Sequence, residues 1–499
     1  MKIYSKNDDY ILYHGNMLDM LNVIPSNSVD SIVTDPPYGL TTIVKRFGKE
    51  NSAPAQFGSD GAFSRLSKGF MGKEWDGSGI EYNVETWKKC YEILKDGGYL
   101  LAFGGTRTYH KIASAIEEAG FEIRDCIMWI YGSGFPKSMN ISKGLEAREK
   151  YGKANTRTKR VVEQSCEGEA YKIKQTNNGA MGEVIETTRK HYLPSTELAK
   201  KWQGWGTTLK PAYEPIIVAR KPFVGSLVDN VIKNGVGGIN IDECRIPFED
   251  TKNPATNPLY RKEAGYKLPV KGLKSNGVVG FTSSKNEVNK LGRFPANLIL
   301  TYDDNTYKEV CSGFPVTSGG KIKLNSEVKR KGIKEDGSSF NSKTCGFDVN
   351  KGTGLCNYGD SGSASRYFYC AKASQKDRNE GLEEFEDKIK VFNGKSSSSS
   401  KEMKDIEKRF TTITKNTHPT VKPTQLMQYL VRLITPKEGT ICDPFMGSGS
   451  TGKAVMYENK ERNANYKFIG IELMDEYLPI ADARIKFAKN SKDKEENIK

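Results

Sequence analysis

Two short motifs far apart in the 499-residue chain carry the residue types that chemistry needs. The first is Asp35-Pro36-Pro37-Tyr38, directly after the apolar run Val29–Thr34. Two prolines fix the backbone and forbid further sheet pairing, so the segment reads as a rigid strand-ending turn. As plain structure, Asp35 accepts a turn hydrogen bond. As chemistry, the Asp35 carboxylate and the Pro36 carbonyl are neighbouring acceptors with the Tyr38 ring beside them. That set suits a planar heterocycle bearing an exocyclic amino group: two N–H donors meet two acceptors, and the ring stacks on Tyr38.

The second motif is Asp443-Pro444-Phe445-Met446-Gly447-Ser448-Gly449-Ser450-Thr451-Gly452, again after an apolar strand. Its glycines let the backbone approach a ligand, and the next helix presents its N-terminal amides. A second strand, 468–472, ends in Glu472, where a carboxylate is placed to accept ribose hydroxyls. Three ligands compete for such a loop. A nucleoside triphosphate matches Gly447-x-x-x-x-Gly452-Lys453, but Ala454 stands where a phosphate loop needs a Ser or Thr hydroxyl on magnesium. A dinucleotide meets the acid of Asp443 next to its pyrophosphate. S-adenosylmethionine carries a sulfonium and an ammonium and no phosphate, so an acidic glycine loop suits it best.

The elements that must position these motifs follow from periodicity. Residues 1–145 alternate strands and helices: strands at Tyr10–His14, Val29–Thr34, 99–103 and 121–131, and helices at 17–24, 81–94 and 109–119. That rhythm argues for a largely parallel sheet with helices on both faces. From 151 to 191 the chain is polar, then Tyr213–Arg220 reads as a strand, 224–234 as a helix and 294–300 as a strand. The Lys329-Arg330-Lys331 run and the serines 396–400 mark solvated connections. After His418 the rhythm returns, with helices at Thr424–Ile434, 451–458 and 477–489 and strands at Thr440–Asp443 and 468–472.

Composition narrows the partner. Lys and Arg number 76 against 61 Asp and Glu, a formal charge of +15, the sign that a polyphosphate partner selects through counterion release. The bland alternative is a basic protein that is merely soluble. No run approaches the roughly 18–20 apolar residues of a membrane span, and the N-terminal residues form no apolar signal segment, so a cytoplasmic protein with no membrane contact is expected. Nine cysteines without C-x-x-C pairing and four histidines fit reduced thiols and no metal site.

Together the two motifs resemble the amino-methyltransferases of DNA, in which Asp-Pro-Pro-Tyr is the catalytic motif and Phe-x-Gly-x-Gly the methyl-donor motif. The order, catalytic motif first and donor motif last, is similar to the permuted β group of that family. Residues 27–34 resemble the lead-in to the catalytic motif, and His418-Pro419-Thr420-Val421-Lys422-Pro423 the segment before the donor motif. Stretches 101–106, 132–137 and 204–221 resemble enzymes carried by phages and prophages.

The resemblance implies a Rossmann-like, doubly wound α/β methyltransferase sheet with a large inserted target-recognition region. Residues 1–145 then form the catalytic half, 146–222 a polar insertion and return strand, 223–415 the target-recognition region, 416–490 the donor-binding half and 491–499 a charged tail. The implied activity is site-specific methylation of double-stranded DNA at the N6 of a flipped-out adenine, with S-adenosylmethionine as donor. Asp at the first motif position favours adenine, because the cytosine enzymes often carry serine there; transfer to cytosine N4 is the nearest alternative, and a DNA-binding protein with an inactive site a remote one. Asp35, Pro36, Pro37 and Tyr38 carry catalysis. Asn16, Asp443, Phe445, Gly447, Gly449 and Glu472 bind the donor, with Thr420 and Lys422 near its methionine carboxylate. Where the family often has Gly-Asp, this chain has Gly15-Asn16, with Asp19 one helical turn on as the competing residue. Phe445 has a core-aromatic alternative and Lys422 a solvated-charge alternative, while Gly104-Gly105 reads as pocket wall or plain turn. Trp202 and Trp205 are expected to pack inside rather than stack on bases. Oligomeric state, monomer or homodimer, stays open.

Overall fold

The computed structural model describes residues 2–38, 79–131, 138–152, 170–180, 184–190, 192–247, 292–302, 316–317, 362–363, 368–372, 375–391 and 411–491. The stretch 132–137, the basic run at 329–331, the serine run and most of 223–415 lie outside them, as does the tail beyond Ser491. The chain divides into two units, one of residues 1–240, 297–304 and 370–499 and one of 241–296 and 305–369. In the second, Ile246 and Arg293 form an antiparallel bridge, and Val316–Thr317 pairs antiparallel with Gly362–Ser363.

Ten strands make one mixed sheet: β1 (Lys2–Lys6), β2 (Tyr10–His14), β3 (Val29–Thr34), β4 (Leu94–Phe103), β5 (Glu122–Tyr131), β6 (Tyr213–Arg220), β7 (Leu298–Tyr302), β8 (Tyr369–Lys372), β9 (Thr440–Asp443) and β10 (Lys467–Glu472). Their order is β1-β2-β10-β9-β3-β4-β6-β5-β7-β8. The centre, β2-β10-β9-β3-β4, is parallel, and β6 runs antiparallel between β4 and β5. β3 is buried along its whole length, as a parallel strand covered on both faces must be. Its one acid, Asp30, is matched by Lys95 at 2.7 Å and by the Thr440 amide at 2.8 Å.

Helices cover both faces. On one side α1 (Met17–Leu21), α2 (Val84–Ile93) and α3 (Tyr109–Glu118) pack on one another, their Met17, Leu21, Trp87, Cys90, Ile112 and Ile116 sharing a core with Ile32, Leu100 and Ile471 of the sheet. Burying a side chain such as Trp87 contributes on the order of 2–3 kcal/mol. α4 (Ile141–Tyr151) and α5 (Glu197–Lys201) pack together, and α6 (Leu227–Asn234) lies on β4. α7 (Gln375–Asn379) precedes α8 (Thr424–Ile434), α9 (Ser450–Arg462) and α10 (Leu478–Asn490); α8 packs against β3 and β4, and α9 against β10, α8 and α10. The chain runs β3-α2-β4 in one direction and β9-α9-β10 in the other, so the strand order reverses between β3 and β9. That is the switch point outside whose strand carboxyl ends an α/β sheet binds its ligand.

Several expectations need correction. The helix expected over 224–234 begins at Leu227, because Ser226 caps it by accepting from the Asp229 amide; Val224 is 99% exposed. The strand expected at 294–300 runs over Leu298–Tyr302, and Phe294 is exposed. The helix over 81–94 starts at Val84, capped by Asn83, after a short 3-10 turn. The polar stretch between 151 and 191 contains an antiparallel hairpin, Ala170–Ala180 with Val184–Lys190. Trp205 is not interior: it is 59% exposed and meets Trp202 edge-on at 5.1 Å, because the loop after α5 stays on the surface.

Candidate active site

β3 and β9 are neighbours, with Ser31 opposite Ile441 and Ile32 opposite Cys442, so both motifs leave the sheet side by side. Thr34 Oγ1 donates to Asp443 Oδ1 at 2.7 Å and ties the two strand ends directly. One cavity of about 440 Å³ is lined by Asp35 to Tyr38, by Asp443 to Gly447, by Glu472 and by Asn16, Thr420 and Lys422. Gly449 of the predicted set is not on its wall, and Asp19 is exposed elsewhere.

Asp35 is the most constrained acid. Lys422 Nζ donates to its Oδ2 at 2.6 Å, and its Oδ1 is buried without a hydrogen-bond partner among the described residues. Burial raises its pKa above the usual carboxylate range against the pull of Lys422. Lys422 is 6% exposed, so the solvated-charge reading fails; its Nζ also lies 3.1 Å from the Tyr38 hydroxyl and 3.5 Å from Glu214. Burial pulls Lys422 down, but the Asp35 and Glu214 carboxylates outweigh it and hold its pKa above the ordinary lysine value. Tyr38 donates its hydroxyl to Glu214 at 2.7 Å, while its backbone carbonyl accepts from Tyr82 and Thr108 at 2.9 and 2.8 Å. The ring is thereby fixed at the cavity wall. Gly105 also lines the cavity, and a Cβ on it would stand 3.3 Å from the Tyr38 ring.

The glycine bend is held from several sides. Asp443 accepts from Thr34, from the Phe445 amide at 3.1 Å and from the Thr451 hydroxyl at 2.5 Å, so its carboxylate is turned into the loop; burial lifts its pKa to about 6. Glu472 accepts from the amides of Gly447 at 2.8 Å and Met474 at 2.7 Å, and burial lifts its pKa to about 7. Gly447 has φ +54, and a Cβ there would meet His418 Nε2 at 2.8 Å. Gly449, at φ +77, packs closely on Ala481 of α10, where a Cβ would come within 2.9 Å of it. Phe445 lines the cavity and also packs against the core. Asn16 caps α1 through the Leu18 amide at 3.0 Å.

Lys453, the lysine of the apparent phosphate loop, is fully buried between Asp377 at 3.3 Å and Glu380 at 2.8 Å and is absent from the cavity wall. The triphosphate reading has no cation to offer there. Among the cavity residues to which the sequence reading gave no role are Glu214 and His418. Glu214 is the single acid in the apolar strand β6, which was the available signal. His418 lies behind Gly447, its Nδ1 facing the Thr420 carbonyl at 2.6 Å, and burial drives its pKa down to about 3, so the ring is neutral. Outside the cavity, Arg484 braces the bend through the Ser448 carbonyl at 2.6 Å and the Asp377 carbonyl at 3.1 Å.

Comparison with known proteins gives a matching family. A family model described as DNA methylase covers residues 29–238 and 281–483, well over half of the chain. A type II methyltransferase of Haemophilus influenzae, M.HindIII, is 27% identical over 245 residues, 46% of this chain and 64% of that enzyme. M2.LlaDCHI of Lactococcus lactis subsp. cremoris is 27% identical over 256 residues, 47% of this chain and 84% of its own. Among solved structures, the PvuII DNA methyltransferase (cytosine-N4-specific) overlaps 100% of this chain and 92% of its own at 11% identity and a TM-score of 0.36, a likeness too low to carry an argument.

Proposed function

We propose, for a chain that belongs to the DNA methylase family, that it transfers a methyl group to the exocyclic N6 of adenine in double-stranded DNA. The observation that carries this reading is Asp35, which lines the same cavity as the Gly447 bend and whose buried Oδ1 has no hydrogen-bond partner among the described residues. The methyl donor is S-adenosylmethionine, which when bound supplies an electrophilic methyl on a sulfonium. The residues fit it: among the described residues, the wall carries the acids Asp35, Glu214, Asp443 and Glu472 against the cations Lys422 and Arg107, a balance that suits a cationic ligand and repels a polyphosphate. Glu472, Asn16, Phe445 and Gly447 are assigned to holding it, with Thr420 beside them.

The amine of adenine is a poor nucleophile because its lone pair is delocalised into the ring. Asp35 Oδ1 and the Pro36 carbonyl accept its two N–H groups, favour a pyramidal nitrogen and stabilise the positive charge that develops there. This is preorganised electrostatics combined with positioning. A base within a duplex cannot enter such a cavity, so it is extruded, and stacking on Tyr38 offsets part of the few kcal/mol of unstacking. We assign the inserted residues 223–415 to target reading, with their Lys and Arg on phosphates. Asp rather than Ser at position 35 favours adenine over cytosine.

Nucleoside mass spectrometry of DNA incubated with enzyme and donor tests the assignment. N6-methyladenine is expected; N4-methylcytosine would transfer the same chemistry to the other base, and unmodified DNA would end the reading.

A further inference from the structure

We infer that Lys422 is the positioning residue of the catalytic carboxylate, held in place by Glu214: it engages one oxygen of Asp35 so that the other alone meets the target amine. The inference rests on the function proposed above and deepens it, since the resemblance alone sent Lys422 to the methionine end of the donor.

The geometry is specific. Lys422 is buried on the cavity wall with its ammonium 2.6 Å from Asp35 Oδ2, 3.1 Å from the Tyr38 hydroxyl and 3.5 Å from Glu214, and 4.8 Å above the Phe103 ring. An ammonium has three N–H donors, and these three oxygens match them in number. Asp35 Oδ1, left over, is buried and unpaired among the described residues. A buried carboxylate without a cation tends to protonate, and a protonated Asp35 would lose the charge that the reacting nitrogen needs. Lys422 opposes that. Glu214 then sets the balance: two carboxylates and one ammonium leave one net negative charge facing the place where one positive charge develops. Glu214 also takes the Tyr38 hydroxyl at 2.7 Å, so carboxylate and stacking ring are fixed by the same two side chains.

The charged and titratable groups around Asp35 come from four places: Tyr38 after β3, Glu214 and Tyr213 in β6 with Tyr131 in β5, Asp443 at the end of β9, and Lys422 and His418 before α8. Lys422 lowers the Asp35 pKa, and Glu214 raises it. Lys422→Met and Glu214→Gln therefore move Asp35 in opposite directions, which a loss of packing would not do.

The test uses full-length protein labelled with ¹³C-carboxyl aspartate, with Asp35→Asn identifying the resonance. Its pH titration is followed in wild type, Lys422→Met, Lys422→Arg and Glu214→Gln. The pKa is expected to rise by at least about one unit in Lys422→Met, stay close to wild type in Lys422→Arg and fall in Glu214→Gln. In parallel, kcat in Lys422→Met falls at least about 100-fold, the range seen when a preorganised electrostatic partner is removed. Lys422→Arg recovers a tenth or more of the wild-type rate, and calorimetric affinity for S-adenosylhomocysteine changes less than about threefold. An unmoved Asp35 resonance, or a tenfold loss of S-adenosylhomocysteine affinity with unchanged kcat, overturns the inference. Should Lys422→Met fail to fold, the Glu214→Gln titration decides alone: a fall supports the inference and no shift overturns it. Wild type that leaves DNA unlabelled would refute the proposed function, while the titration would still read the pairing.

Discussion

Thr34 and Asp443, 409 positions apart in the chain, share a buried 2.7 Å hydrogen bond that joins the end of the catalytic strand to the start of the glycine bend. Thr34→Val removes the donor and leaves part of a buried carboxylate unmatched. A loss of about 1–3 kcal/mol is expected, with Thr34→Ser close to wild type. Chemical denaturation of the full chain measures both, and an unchanged midpoint for the valine variant would show that the bond does not tie the motifs.

Gly447→Ala meets two obstacles at once, a left-handed φ of +54 and a Cβ 2.8 Å from His418 Nε2. His418 is buried and held by the Thr420 carbonyl, so it cannot simply turn away. Donor affinity should fall at least about tenfold, at an energetic cost of about 1–3 kcal/mol in backbone strain and contact. Calorimetry checks it; wild-type affinity would mean that the bend does not hold the donor.

Burial raises the Glu472 pKa to about 7 from an ordinary 4.5. The folded state then binds the proton more tightly than the unfolded chain, so this group's contribution to stability is complete below about pH 4.5 and is lost as pH rises through 7. Glu472→Gln abolishes that dependence. Relative to wild type, the variant should gain stability between pH 5 and pH 8, on the order of 3 kcal/mol from the size of the shift. Denaturation curves at several pH values test this, and a pH-independent difference would contradict it.

Tyr38 offers a ring to the cavity and a hydroxyl to Glu214. Tyr38→Phe keeps the ring and should lower kcat about tenfold or less. Tyr38→Ala also loses stacking, worth about 1–3 kcal/mol per base, and should cost a further tenfold or more, with weaker extrusion read by 2-aminopurine fluorescence. Equal losses in the two variants would assign the role to the hydroxyl.

The central strands were legible because strands buried on both faces read as apolar runs, as in the parallel β3 and β9 and the antiparallel β6, and because both motifs begin where such runs stop. β1 was not, since its Lys-Ile-Tyr-Ser-Lys sequence is largely exposed at a sheet edge and lacks a buried face to mark it. Helix starts slipped where a cap such as Ser226 or Asn83 decides the boundary. The site residues adjacent to motifs were named from sequence, whereas Glu214 reaches the cavity only because β6 inserts antiparallel beside β4, a pairing that local periodicity does not encode. Lys422 was noticed but not linked to Asp35, because that contact spans 387 positions.

Asp35→Ala is the most direct test of the whole account, measured as transfer of labelled methyl from S-adenosylmethionine to DNA beside calorimetric donor binding. The account predicts that transfer disappears while donor affinity stays within about threefold of wild type. Transfer that persists, or donor binding that vanishes with it, would contradict the claim that Asp35 serves the target amine across the cavity from the glycine bend.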